Sequence, residues 1–306
     1  MTFHNLTLLS SSNPFTKYEE IAKSKYKYKA ILYGTETSKS RTYSRTYNIV
    51  KQCYKSYETI KEHLEDMVAY PNFESSEKEA LLHCYTGNTK LVRELKEEII
   101  NKQNIYYRTK CAYCGIGDTN YMDHYLPKDD FPEYSIHSYN LVPCCSYCNE
   151  KKSKLFLDKE GFRKIFNPYF EDVGEQPIIN CSLECLETSI KSHLEIRQDV
   201  SFKVWLNHLS TLDLIRRYEG ELPRVLSSIM FDIIVNYEEN GVDSDGAKRV
   251  MKRKLVETEQ IQGHNSLDAI VYRAFLEIDQ LFDINYLRKV HFKMARSAIP
   301  PSSSAS

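Results

Sequence analysis

A central stretch decides the fold, and it reads Cys111-Ala-Tyr-Cys114-Gly, then Tyr121-Met-Asp123-His124-Tyr, then Cys145-Ser-Tyr-Cys148-Asn149. It contains two Cys-x-x-Cys pairs. Two residues between the cysteines let both thiolates of a pair meet one ion, while backbone amides of the turn stabilise the sulfurs. Two such pairs supply four thiolates, the closed tetrahedral ligand set of a structural zinc site. The sequence therefore predicts a bound Zn²⁺ ion with the ligands Cys111, Cys114, Cys145 and Cys148.

The chain has nine cysteines, and the other five need a separate interpretation. Cys144 could replace Cys145, but the two-residue gap is the better knuckle, so we expect Cys144 to be a buried neighbour. Cys181 and Cys185 are four residues apart, which is compatible with one face of a helix, and they have too few potential ligands nearby for a second metal site. Cys53 and Cys84 are isolated, and we expect them to be packed.

Polar residues that a zinc site does not need lie between the two cysteine pairs. Residues 121–128 read as a short strand that carries the adjacent Asp123 and His124. Residues 138–143 read as a second strand with Asn140 near its start. Asn149 follows the last cysteine and opens a helix that continues to residue 154. The predicted order is therefore strand, loop, strand and helix, with a polar group at each junction.

In this order, Asp-His, Asn-Leu-Val-Pro and Cys-x-x-Cys-Asn-x-x-Lys resemble the HNH endonuclease family, whose core is a ββα-metal fold. The version with zinc and an Asn after the last cysteine is similar to phage endonuclease VII. The resemblance covers residues 108–156. It implies a phosphodiester hydrolase that combines a structural Zn²⁺ with a catalytic Mg²⁺ or Mn²⁺.

The resemblance also implies a role for individual residues. His124 would be the general base that takes a proton from the attacking water, a task suited to a neutral imidazole at neutral pH. Asp123 and Asn149 would hold the catalytic divalent cation through oxygen atoms. Asn140 would brace the loop behind the base. Two lysines would contact phosphates of the nucleic acid or brace the loop: Lys128 and Lys152.

The connection between the two predicted strands contains further polar side chains. His137 lies near Asn140 and could act as a rival base, but we interpret it as a residue of a polar loop. Asp129, Asp130 and Glu133 could be additional metal ligands, but we interpret them as solvated loop charges.

The regions on either side predict an α+β fold that is mostly α-helical. We expect a helical, basic and Tyr-rich region at 1–104, the nuclease core at 105–160, a helical domain at 161–298 and a disordered tail at 299–306. Apolar residues recur at helical spacing within 75–101 and beyond residue 202. Gly241 is typical of a helix end, and Ser266 of a helix start.

Residues 17–61 contain eleven basic and four acidic residues, interleaved with eight tyrosines. The basic side chains could hold phosphates while the tyrosines stack on bases. Alternatively, the region is a helical domain with a solvated basic face and a tyrosine-rich core. We favour the second interpretation.

Composition narrows the class of protein. The chain has 306 residues and a formal net charge of -1, and its mean hydropathy is -0.51. No segment has the roughly 20 apolar residues that span a bilayer, and the first twelve residues lack the pattern of a signal peptide. We therefore expect a cytoplasmic protein without membrane contact, whose nucleic-acid-binding charge is local.

The arrangement of an HNH core between helical arms is similar to the HNH proteins of Septu-type and retron-associated anti-phage systems. In Septu-type systems an HNH protein acts with a separate ATPase, so the resemblance implies a partner ATPase. We expect DNA as the substrate, and the helical arms to provide substrate choice, partner docking or assembly into a homo-oligomer. Two alternatives stay open: cleavage of RNA such as tRNA, and a non-catalytic zinc module that binds nucleic acid or a protein.

Overall fold

The structure is a computed structural model that describes residues 6–9, 13–38, 40–171, 176–200 and 202–297. The tail expected at 299–306 lies outside the described residues, as does most of the start of the chain. Contacts divide the chain into two compact units, one formed by residues 5–173 and 203–212 and one formed mainly by 174–202 and 213–306. This division follows contacts alone, and the division into functional parts expected from the sequence stays a prediction.

The larger unit contains seven helices within its described residues. They are α1 (Pro14–Ser24), α2 (Lys29–Leu32), α3 (Arg45–Ile60), α4 (Ser75–Thr86), α5 (Lys90–Lys102), α6 (Ser146–Lys152) and α7 (Lys203–Thr211). It also contains two antiparallel strand pairs, β1 (Gly34–Glu36) with β2 (Arg41–Tyr43), and β3 (Tyr121–His124) with β4 (Leu141–Cys144). The helices expected within 75–101 are confirmed as α4 and α5.

Local hydrogen bonds fix the starts of the N-terminal helices. The side chain of Asn13 accepts a hydrogen bond from the amide of Phe15, and the side chain of Ser44 accepts one from Tyr47. Glu74 and Glu77 form a reciprocal capping box at the start of α4. Such caps satisfy amides that have no partner inside the helix, so short helices can form ahead of the central segment.

The tyrosines of the N-terminal region mostly form its core. Of the eight between residues 17 and 61, only Tyr26 and Tyr43 are exposed. Six are buried: Tyr18, Tyr28, Tyr33, Tyr47, Tyr54 and Tyr57. The packing interpretation is therefore confirmed for these six.

The central segment folds as strand, loop, strand and helix. In the antiparallel pair β3–β4, Asp123 lies opposite Val142 and His124 lies opposite Leu141. β4 leads directly into α6, whose first residue follows Cys145. The side chain of Cys145 accepts a hydrogen bond from the amide of Cys148 and so caps α6. The end of β3 and the body of α6 are thereby brought to the same side of the sheet.

The smaller unit combines a β-hairpin with helices. The hairpin pairs β5 (Ile179–Cys185) with β6 (Ile190–Ile196), and the helices are α8 (Leu214–Asn240), α9 (Ser244–Gln262), α10 (Leu267–Leu276) and α11 (Ile284–Ser297). Gly241 ends α8 with a positive φ of 62°, and Ser266 caps α10, as expected. An α+β fold with mostly helical structure is confirmed, and no helix in the described part of the chain is long and apolar enough to cross a membrane.

The hairpin corrects one expectation. Cys181 and Cys185 lie on β5 and not on a helix. Residues four apart share one face of a strand as well as one face of a helix, because a strand repeats every two residues. Burial alternates along β5 as expected for a strand with one covered face, and spacing alone could not separate the two structures.

Candidate metal centre and active site

The four predicted zinc ligands form one buried cluster. The sulfur atoms of Cys111, Cys114, Cys145 and Cys148 all lie within 4.8 Å of one another, and Cys114 Sγ is 3.9 Å from Cys145 Sγ. A tetrahedral zinc site with Zn–S bonds of about 2.3 Å places its sulfurs about 3.8 Å apart. The spacing and burial of this donor set therefore fit a closed metal site, and a metal such as zinc could bind here.

Backbone groups support the sulfurs. The amide of Gly117 donates to Cys114 Sγ at 3.5 Å, and the amide of Cys148 donates to Cys145 Sγ at 3.4 Å. A Cβ atom on Gly117 would stand 2.7 Å from the Cβ of Cys145, so only glycine fits beside the cluster. Within the cluster, hydrogen bonding with Cys111 lowers the pKa of Cys145, whereas burial raises the pKa of Cys111.

The other cysteines lie outside this cluster. Cys144 is buried next to it, and burial raises the pKa of its thiol, as expected for a packed neighbour. Cys84 is buried, and Cys53 is partly exposed. Within the described ranges, Cys181 and Cys185 belong to no group of three potential metal ligands.

A polar pocket of about 280 Å³ adjoins the end of β3. Its lining includes Asp123 and His124 from β3, Lys128 from the loop and Asn149 from α6. The structure therefore brings together four residues that the sequence analysis selected. The pocket opens at the surface, because exposed side chains such as Glu150 also line it.

His124 is held by its loop in one orientation. Its Nε2 atom lies 2.9 Å from the carbonyl oxygen of Ser135, which can only accept, so Nε2 carries the proton and Nδ1 keeps a lone pair. Burial lowers the pKa of His124 to about 3, and the charges of Lys128 and Lys152 act in the same direction. The imidazole is therefore neutral at pH 7, with Nδ1 as its basic nitrogen.

The carboxylate of Asp123 is buried and held on one side. The hydroxyl of Tyr113 donates to its Oδ2 atom at 2.8 Å, and the Nζ atom of Lys152 lies 3.0 Å from the same oxygen. Burial raises the pKa of Asp123, while Lys152 and Tyr113 act in the opposite direction. The backbone amide of His124 also donates to this carboxylate, so three groups hold it in place.

Asn149 offers a second oxygen donor in the same pocket. Its carboxamide makes no hydrogen bond to other residues in the part of the chain that the structure describes. Carboxylate and carbonyl oxygens are the ligands that hard cations such as Mg²⁺ prefer. The donor set of Asp123 and Asn149 therefore fits a divalent cation with water as the remaining ligands.

Lys152 corrects the expectation of a phosphate contact. Its side chain is 1% exposed, and its Nζ atom donates to the carbonyl oxygen of His124 at 2.7 Å in addition to pairing with Asp123. A buried ammonium group with these partners cannot reach a nucleic acid, so Lys152 is a brace for Asp123 and His124. Lys128 is partly exposed and lines the pocket, where its Nζ atom lies 3.4 Å from Oδ1 of Asp129.

Asn140 ties the loop between β3 and β4 together. Its Oδ1 atom accepts a hydrogen bond from the amide of Leu126 at 2.7 Å, and its Nδ2 group donates to the carbonyl oxygens of Leu126 and Tyr134 at 3.1 Å. The buried carboxamide at the end of the loop thus binds residues near its start and in its middle. Ser135, which orients His124, follows directly after Tyr134.

His137 lies in the loop, as expected, whereas Glu133 differs from the sequence-based expectation, and both residues are buried. Glu133 is 1% exposed and accepts a hydrogen bond from the amide of Tyr70, so it is not a solvated charge. His137 is fully buried and packs against Tyr54 and Tyr57 of α3. The loop is covered by helices that are distant in sequence, which its polar composition did not indicate.

Three supporting residues escaped the sequence analysis. Tyr113 lies inside the first cysteine pair and reaches Asp123, which connects the cluster to the pocket. Tyr85 of α4 packs edge-on against His124, with ring centroids 4.4 Å apart, and Ser135 binds its Nε2 atom. The position of Tyr113 between two metal ligands was the only signal available for any of them.

Two curated relatives match part of the chain. Protein ea31 of Escherichia phage lambda is 32% identical over 130 residues, which cover 40% of this chain and 43% of the relative. The Septu protein PtuB of Bacillus thuringiensis is 31% identical over 87 residues, which cover 27% of this chain and 28% of the relative. The chain therefore spans less than half the length of either relative. No family model matches the chain, and no solved structure matches it.

Proposed function

We propose that the chain is a metal-dependent HNH endonuclease that hydrolyses phosphodiester bonds of DNA. The observation that carries this proposal is that His124, Asp123 and Asn149 line one pocket. A phosphodiester hydrolase needs a base and a charge-neutralising cation at one place, and this pocket supplies residues for both. The order of β3, β4 and α6 is compatible with a ββα-metal core.

In this proposal His124 acts through a fixed tautomer. The Nε2–H group of His124 donates to the carbonyl oxygen of Ser135, and the Nζ group of Lys152 donates to the backbone oxygen of His124. The Nδ1 atom can therefore accept a proton from a water molecule that attacks the phosphorus. Tyr85 covers one side of the ring. These contacts orient the base before the substrate arrives.

Asp123 and Asn149 would hold Mg²⁺ or Mn²⁺. When bound, such a cation polarises the scissile phosphate and stabilises the leaving oxygen. Lys152 and Tyr113 hold Asp123 through Oδ2, so the carboxylate has one orientation. The four cysteines would hold a structural Zn²⁺. Tyr113 lies between two of these cysteines in the sequence and donates a hydrogen bond to Asp123, so the zinc site would help to fix the position of the Asp123 carboxylate. Lys128, at the edge of the pocket, would contact a phosphate of the strand.

We also propose an anti-phage role, supported by the similarity to a Septu protein. By analogy with Septu-type systems, the chain would act together with a partner ATPase in the cytoplasm. This part of the proposal is independent of the chemistry of the pocket.

The test is a cleavage assay with plasmid DNA and with RNA, each in Mg²⁺, in Mn²⁺ and in EDTA. We expect cleavage of DNA with either cation and none in EDTA. His124→Ala should reduce the rate by about 10²- to 10⁴-fold, the usual contribution of a positioned general base. His63→Ala is the matched control, because its side chain is 73% exposed and does not line the pocket.

The assay is run on the chain alone and on the complex purified from its native host. Full-rate cleavage by His124→Ala would overturn the assigned mechanism. Cleavage of RNA alone would replace DNA as the substrate. Binding of nucleic acid without cleavage, in both preparations and with every metal, would favour the non-catalytic zinc module.

A further inference from the structure

A second and larger pocket lies in the same unit, between the start of α1 and the middle of α3. Its volume is about 610 Å³, within the range of about 300–1,000 Å³ that is typical of small-molecule sites. None of Asp123, His124 and Asn149 lines it. The pocket is therefore separate from the proposed nuclease site.

Two buried polar groups of this pocket have no hydrogen-bond partner in the part of the chain that the structure describes. His137 is fully buried, and its Nδ1 atom accepts a hydrogen bond from the amide of Tyr139. The proton of the neutral ring is therefore on Nε2, and this atom has no hydrogen-bond partner among the described residues. The hydroxyl of Tyr54, which is 3% exposed, also lacks one. Both groups belong to residues that line the pocket, and a ligand with acceptor atoms would satisfy them.

The mouth of the pocket is positively charged. Lys51 and Lys55 are exposed and lie one turn apart on α3, so they share one face of the helix. Neither forms an ion pair with a described carboxylate. The start of α1 adds the positive end of its dipole, although its first amides are already bound by Asn13. Glu58, one turn further along, pairs with Lys61 at 3.2 Å. This arrangement suits a phosphate group.

The walls of the pocket are aromatic. Phe15, Tyr54 and Tyr139 line it, and the ammonium group of Lys51 lies 5.9 Å from the ring centre of Phe15. Aromatic side chains bind the flat face of a nucleobase with little dependence on its identity. A flat ring and a phosphate are thus both accommodated within one pocket.

We propose that this pocket binds a nucleoside 5′-phosphate. The phosphate lies between Lys51 and Lys55, the base lies against the aromatic wall, and acceptor atoms of the base receive hydrogen bonds from His137 Nε2 and the Tyr54 hydroxyl. A free nucleotide and the 5′-terminal nucleotide of a strand share this chemistry. The experiment distinguishes these two sources.

The test is isothermal titration calorimetry of the full chain with the four nucleoside 5′-monophosphates, with adenosine, with inorganic phosphate and with a short 5′-phosphorylated single strand. We expect at least one monophosphate to bind with a Kd below about 1 mM, and adenosine and phosphate to bind at least tenfold more weakly. The double variant Lys51→Gln/Lys55→Gln should weaken binding at least tenfold. Lys90→Gln on α5 is the control, because its side chain is also exposed and is not in the pocket.

Tyr54→Phe removes only the hydroxyl and keeps the packing of the ring, so it tests the proposed hydrogen bond from Tyr54 to the base. It is preferred to a substitution of the fully buried His137, which could disturb the fold. It should weaken binding severalfold. Binding of the phosphorylated strand alone, with the same dependence on Lys51 and Lys55, would identify a strand end as the source of the nucleotide. Absence of binding by every nucleotide and by the strand, equal binding of inorganic phosphate, or unchanged affinity in the double lysine variant would overturn the proposal.

Discussion

The central segment contains two centres that differ in how open they are. The four cysteines are all buried, and their sulfurs face one another. Asp123, His124 and Asn149 line a pocket that opens at the surface. Closed sites suit a metal that stabilises the fold, whereas chemistry needs room for a substrate and water. Tyr113 contacts both centres, so the closed one positions a residue of the open one.

The largest effect should follow from a change in the closed centre. Cys111→Ser removes one of four thiolates, and structural zinc contributes about 10–16 kcal/mol of apparent binding free energy in zinc-finger peptides. We expect the variant to lose its zinc and the larger unit to melt far below the wild-type temperature. Elemental analysis and thermal unfolding followed by circular dichroism measure both. Retention of one zinc per chain by the variant would contradict the proposed ligand set.

A smaller effect is expected for the brace between the centres. Lys152→Met removes the ammonium group and leaves Asp123 as an unpaired buried carboxylate, which typically costs about 3–5 kcal/mol. Urea unfolding of the full chain should show this loss. The double variant Asp123→Asn/Lys152→Met removes both charges, so we expect it to recover part of the stability while cleavage stays absent. If the single variant is as stable as the wild type, the buried pair is not structural.

The link between the two centres should have a more moderate effect. Tyr113→Phe keeps the ring and removes the hydrogen bond to Asp123, at a cost of about 1–3 kcal/mol. Zinc content should not change, but more Mg²⁺ should be needed for half-maximal cleavage, because Asp123 is less well oriented. A Mg²⁺ titration of the cleavage rate measures this shift. An unchanged titration would show that the two centres act independently.

The smallest effect is expected outside both centres. Cys181→Ser changes a cysteine on the β5 hairpin that belongs to no group of three potential ligands in the described part of the chain. We expect zinc content to be unchanged and stability to remain within about 0.5 kcal/mol of wild type. This variant is also the matched control for Cys111→Ser, and any loss of zinc in it would remove the distinction between the two sets of cysteines.

The features that could be predicted from the sequence depend on residues that are close to one another along the chain. The two Cys-x-x-Cys pairs, the adjacent Asp123 and His124, and the position of Asn149 after the last cysteine were sufficient to select residues that the structure brings together. Helix starts such as Ser266 were also readable, because a cap acts within three residues.

Burial and long-range packing could not be read in this way. Lys152 follows a helical pattern that is typical of an exposed lysine, yet it is buried against the end of β3. Glu133 and His137 lie in a polar segment, yet helices from the N-terminal region cover them. In each case the partner is many residues away, and no local pattern specifies it.

Contacts with helix α4 determine whether the central segment could keep its structure outside this chain. The Ser135 hydroxyl donates to the carbonyl oxygen of Leu81, and the Tyr85 hydroxyl donates to the carbonyl oxygen of Met122. Both α4 residues precede the segment that resembles a nuclease core. A fragment cut out at residue 105, or grafted into another protein, would leave behind the scaffold of its own histidine. The central segment therefore depends on the rest of this chain and is not a module that can be transferred by itself.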